Sequence, residues 1–111
     1  VVAHHAMGMA VAKAEACGCG WVSVRNSNHF GAAAHFVRMA VARGMVGMVA
    51  TNGPAAVAPT GGCRPMLSTN PLAVGIPAGD EPPVILDMAT TVVSRGRINL
   101  FARQGKPLPE G

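Results

Sequence analysis

Trp21-Val22-Ser23-Val24-Arg25-Asn26-Ser27-Asn28-His29-Phe30-Gly31 is the stretch on which the reading of the fold turns. Residues 21–25 alternate enough for a strand, residues 26–31 collect turn and capping residues with a glycine, and a helical rhythm follows. From Ala32 to Arg43, a buried stripe of Ala33, Phe36, Val37, Ala40 and Val41 recurs at three- and four-residue steps, and Gly44 ends it. Met45 to Thr51 is apolar on both sides, which predicts a central strand. Upstream, Ala3, Ala6, Met7, Ala10, Val11, Ala14 and Cys17 give residues 3–17 the same helical repeat, with Gly18 and Gly20 as its stop. The first half therefore reads helix–strand–helix–strand, a βαβ-like crossover or another layered sheet carrying helices, and the class is α/β.

The second half has a different texture. Asn52 to Asn70 is long, rich in glycine and proline, and irregular. A loop of that length inside a small domain is usually functional. Leu72, Val74 and Ile76 mark a strand, residues 77–83 a turn, and Val84-Ile85-Leu86 a short strand. Thr90 or Thr91 is expected to cap a last helix over residues 92–103. The chain begins Val-Val-Ala in helical rhythm and stops at Pro109-Glu110-Gly111, so the 111 residues read as a fragment of a larger chain. They are expected to form one central portion of it, truncated at both ends.

Composition narrows the partners. Nine Lys and Arg against five Asp and Glu give a net charge of +4, but the basic residues are scattered and only four aromatics stand among 111 residues. Nucleic-acid binding wants clustered cations interleaved with stacking rings, so a small anion is the better match. The uncharged run from Gly44 to Cys63 holds five glycines and two prolines, and its apolar part is too short to span a bilayer. Cys17, Cys19 and Cys63 are an odd number without zinc-site spacing, as in cytoplasmic proteins with free thiols. His4 and His5 have no metal-ligand spacing around them, so no metal site is expected.

Candidate chemistry begins at His29. It lies in a polar turn beside a helix N-terminus, a place that attracts anions. A histidine there suits general acid/base work on a carboxylate substrate, and equally suits a capping turn. His35, inside the following helix, reads as structural. Asp87 closes a strand before Met88-Ala89-Thr90-Thr91, where ligands gather in α/β sheets and where a plain helix-capping aspartate also sits; position alone favours the cap. Thr69 and Asn70 before Pro71 form either a turn or a polar clamp. The glycine fingerprints of Rossmann and P-loop sites are absent.

In order and spacing, Val24-Arg25-Asn26-Ser27-Asn28-His29-Phe30-Gly31-Ala32, Thr51-Asn52-Gly53, Thr69-Asn70-Pro71-Leu72-Ala73, Leu86-Asp87-Met88-Ala89-Thr90-Thr91 and Pro107-Leu108-Pro109-Glu110-Gly111 resemble the malate/L-lactate/ureidoglycolate dehydrogenase family. The resemblance implies an α/β nicotinamide-binding domain that is not a Rossmann fold, with a mixed sheet and flanking helices. It implies hydride transfer between NAD or NADP and a small 2-hydroxy/2-oxo acid or related imino acid, with His29 as acid/base. It assigns cofactor contacts to Asn52, Gly53, Thr69, Asn70, Asp87, Met88 and Ala89, and a homodimer to the full-length protein. Ser68 stands where the family usually carries glycine, and Arg97 where a lysine is common. The family's N-terminal histidine and arginine for the substrate carboxylate have no counterpart in these residues. The alternative is therefore a catalytically inactive nucleotide-binding or subunit-pairing module.

Overall fold

A computed structural model describes residues 1–108. Three helices and three strands run in the order α1 (Val2–Cys17), α2 (Ala34–Val41), β1 (Gly47–Ala50), β2 (Leu72–Ala78), β3 (Glu81–Met88) and α3 (Arg95–Gln104). The class is α/β, and the sheet order is β1-β2-β3. The chain divides into two compact units, one of residues 1–49 and 73–87, the other of residues 50–72 and 88 onward.

In the first unit, α2 is packed on two sides. Phe36 and Ala40, one turn apart, meet Met7 and Val11 of α1, with Phe30, Met39 and Met45 around them. Ala33 and Val37, the neighbouring row, bury against Ala73 of β2, with Val49 and Ile85 at the margin. Val37 is fully buried. Two glycines set how closely α2 lies on the sheet. A Cβ on Gly47 would stand 2.9 Å from the Val37 carbonyl oxygen and 2.9 Å from Ala40 Cβ; one on Gly75 would stand 2.9 Å from a Val41 methyl. A side chain at either place would push the helix outward.

The first unit departs from the sequence reading in three places. Residues 21–25 are not a strand. Alternation supplies a pattern, but no neighbouring strand supplies the ladder, and Gly20 instead lays the chain over α1, so close that a Cβ there would overlap the Ala10 carbonyl. Trp21 remains 75% exposed. Without that strand there is no βαβ crossover among the described residues. The strand expected at residues 45–51 forms only over Gly47–Ala50 and lies at the sheet edge, leaving Val46 and Met48 exposed. Finally, the turn expected over residues 77–83 shrinks to Gly79-Asp80, with Gly79 at φ 63°. β3 then runs through Pro82 and Pro83, which an edge strand tolerates better than a central one: successive nitrogens point to opposite sides, so only one of the two is withdrawn from the ladder with β2.

The second unit is mostly loop. An isolated antiparallel bridge joins Val57 to Leu67, and Gly62 closes a turn onto Pro59. Ser94, not Thr90 or Thr91, caps α3: its hydroxyl accepts from the Arg97 N–H at 3.3 Å. Thr91 turns its hydroxyl to the Val93 carbonyl instead. Gly105, at φ 61°, ends the helix. No helix among the described residues is long and apolar enough to cross a membrane.

The glycine contacts yield a paired test. Gly47→Ala should destabilise the protein by about 1–3 kcal/mol through overpacking against α2. Gly8→Ala, in the exposed interior of α1 with nothing within 4 Å of the added methyl, should stabilise it by about 0.5–1 kcal/mol. Urea denaturation midpoints moving in opposite directions would bear this out; an unchanged midpoint for Gly47→Ala would refute the close seating.

Candidate functional site

In the first unit the site residues His29 and Asp87 both bear on the start of α2. That helix opens at Ala33 with no side chain of its own as cap. Its first turn leaves N–H groups without helical partners. One is met from a distance: Asp87 Oδ2, at the end of β3, accepts from the Ala34 N–H at 2.7 Å. Aspartate is a favoured capping residue, and its charge suits the positive end of the helix dipole. Asp87 is thus a cap, as its position suggested, but of α2 and not of the helix that follows it. One negative group at this N-terminus is thus supplied by the chain itself.

His29 is exposed and shaped by its own turn. The Gly31 N–H donates to Nδ1 at 2.9 Å, and Gly31 reaches that geometry at φ 88°. Phe30 turns inward between the two, its ring edge-on to Phe36 with centroids 5.4 Å apart. Burying Phe30 anchors the turn and leaves His29 on the outside. Gly31 was not singled out from the sequence as a partner of the ring; a glycine two residues after a histidine reads only as a turn former.

The remaining candidates belong to the second unit, where two ties gather them. The Thr69 carbonyl accepts from both the N–H and the hydroxyl of Thr90, at 2.8 and 3.0 Å, which brings Thr69 beside the segment of Met88 and Ala89. The Thr51 N–H donates to the Pro71 carbonyl at 3.1 Å, which brings Asn52 and Gly53 to the segment of Asn70. Gly53 lies against Ser68, whose Oγ would be 2.6 Å from a Cβ there. Ser68 is accommodated because residue 53 has no side chain. Asn70 adopts φ 36°, and its Oδ1 is buried without a hydrogen-bond partner. Asn52, Gly53 and Met88 are exposed, whereas Thr69, Asn70 and Ala89 are half-buried. Arg97 sits over the Phe101 ring, 5.4 Å from its centroid.

An open hollow of about 600 Å³, lined by Val1, His4, His5, His35 and Phe36, contains none of these residues. His4 and His35 stack there at 6.1 Å, and His35 meets Phe36 edge-on, which fits the structural reading of His35. Of the matching C-terminal segment, residues 109–111 lie outside the described residues.

The profile of the malate/L-lactate dehydrogenase family matches residues 1–111. The chain is 46% identical over 111 residues to a malate dehydrogenase of Pyrococcus horikoshii, covering 100% of this chain and 31% of that protein. It is 47% identical over 110 residues to an L-sulfolactate dehydrogenase of Methanothermobacter thermautotrophicus, covering 99% of this chain and 32% of that one. The crystal structure of malate dehydrogenase from Entamoeba histolytica superposes with a TM-score of 0.91 at 41% identity, over 98% of this chain and 30% of that one. The chain belongs to the malate/L-lactate dehydrogenase family, a family of oxidoreductases. It spans about a third of the length of these relatives.

The Asp87 cap has a measurable weight. Asp87→Ala should destabilise the protein by about 0.5–2 kcal/mol, and Asp87→Asn, which keeps an acceptor oxygen, by distinctly less. Denaturation midpoints of the two variants check this; equal losses would remove the cap from the account.

Proposed function

We propose that this chain is the cofactor-binding portion of an NAD(P)-dependent oxidoreductase acting on a small 2-hydroxy/2-oxo acid, with His29 as its acid/base. The observation that carries the reading is His29 itself: an exposed imidazole on a turn anchored by Phe30, in a chain of a dehydrogenase family. Such a ring can reach a substrate hydroxyl without disturbing the core.

The donor set suits a nicotinamide dinucleotide. Asn52, Thr69 and Asn70 offer neutral amides and a hydroxyl, Gly53 offers backbone free of a side chain, and Met88 and Ala89 offer apolar surface. The one carboxylate of the set, Asp87, is held on the Ala34 N–H, where its charge is matched by the helix terminus. Pyrophosphate oxygens therefore meet no uncompensated acid from these residues. The buried, unpartnered Asn70 Oδ1 is an acceptor available to a donor brought by a ligand once the loop adjusts. When bound, the nicotinamide supplies the hydride acceptor or donor. His29 exchanges the proton of the substrate's hydroxyl or amino group, and general acid/base help of this kind contributes about 10²–10⁴ in rate. The same reading assigns the full-length protein to the cytoplasm as a homodimer.

In the full-length enzyme His29→Ala should lower kcat by about 10²–10⁴ and leave the cofactor Kd within about twofold. Steady-state kinetics with malate and sulfolactate, and fluorescence titration with NADH and NADPH, measure the two; an unchanged kcat removes His29 from the chemistry. Calorimetry of the 111-residue chain with each nucleotide should detect binding without turnover. Turnover-free binding in the full-length protein as well would favour the inactive module over the enzyme.

A further inference from the structure

A ring nitrogen that accepts a hydrogen bond from an amide presents its lone pair there. Because the Gly31 N–H donates to His29 Nδ1 at 2.9 Å, the single proton of the neutral imidazole resides on Nε2. The flipped ring would set a C–H against the amide and leave the Gly31 donor without a partner. The turn is built for this contact: Gly31 aims its N–H from φ 88°, a conformation that a side chain would strain, and Phe30 fixes the backbone between the two.

Resting on the reading of His29 as acid/base, we propose that the Gly31 amide is a positioning group that holds His29 in the Nε2–H tautomer and covers the ring's one basic lone pair. In this state His29 meets the substrate's 2-oxo oxygen as a hydrogen-bond donor. Proton transfer then requires the turn to let go. In the oxidation direction the Gly31 N–H withdraws, the substrate O–H bond breaks, its proton bonds to the freed Nδ1 lone pair, and the C2 hydrogen leaves with its electron pair for the nicotinamide. The imidazolium so formed carries N–H at both nitrogens, and Nδ1–H facing the Gly31 N–H leaves neither an acceptor. The imidazolium and the Gly31 hydrogen bond therefore exclude each other, and acid/base duty is tied to opening of the Asn28–Gly31 turn.

Long-range proton–nitrogen correlation NMR of the nitrogen-15-labelled protein, recorded where the ring is neutral, reads the tautomer directly. The expected spectrum of His29 has a protonated Nε2 and an unprotonated, hydrogen-bonded Nδ1. A proton on Nδ1, or averaging between the two tautomers, overturns the proposal. Gly31→Ala, strained at its positive φ, should release the ring into such averaging; a variant that keeps the pure Nε2–H form would also overturn it. If that variant does not fold, the wild-type spectrum alone decides. The readout needs no turnover, so it is separate from the kinetics of His29→Ala: full activity of that variant would refute the acid/base reading whatever tautomer the ring adopts.

Discussion

The first unit depends on how closely α2 sits on its sheet. Gly47 and Gly75 remove the two side chains that would hold the helix off, and Val37 fills the space that this leaves. With Val37 and Ala33 committed to the sheet, Phe36 and Ala40 are turned toward α1, so one short helix organises both apolar clusters. The orientation of α2 in turn fixes where its N-terminus opens, and that decides where the His29 turn stands and which N–H groups Asp87 can reach. Packing at two glycines thus determines the position of groups that touch neither.

Charge follows from the same placement. Asp87 serves the N-terminus of α2, which needs both a hydrogen-bond acceptor and a negative charge. The chain's positive excess is left undirected by it: Arg43 pairs with Glu15 on the surface and Arg97 lies over Phe101.

Elements whose identity is written in short-range periodicity were legible in the sequence. The stripes of α1 and α2, the alternation of β2 and the glycine stops at Gly18 and Gly44 all appear where spacing puts them. The failures share one cause, which is dependence on a partner far along the chain. Residues 21–25 have a strand's pattern and lack a strand's neighbour. Met45 to Thr51 looked central because apolar residues on both faces cannot reveal which edge is covered. Pro82 and Pro83 looked like a turn because sequence does not show that β3 is an edge. The cap on α2 comes from 53 residues away, beyond any local rule. Among the candidate residues, the motif of His29 was readable because it is continuous. The amide that holds its ring was not, since a backbone N–H has no signature in sequence.

The sheet face turned away from α2 bears on how this polypeptide must be handled. Val46 and Met48 of the β1 region, Ile76 of β2, and Val84 and Leu86 of β3 project their apolar side chains into solvent, each more than two-fifths exposed. On alternating strand positions these fall on one surface, and both edge strands beside it offer unsatisfied backbone groups. In dilute solution that surface is a standing invitation to self-association, driven by the release of water from apolar side chains. The colloidal state of the isolated polypeptide will therefore vary with protein concentration and temperature, and ligand-binding isotherms collected on it carry that association equilibrium within them.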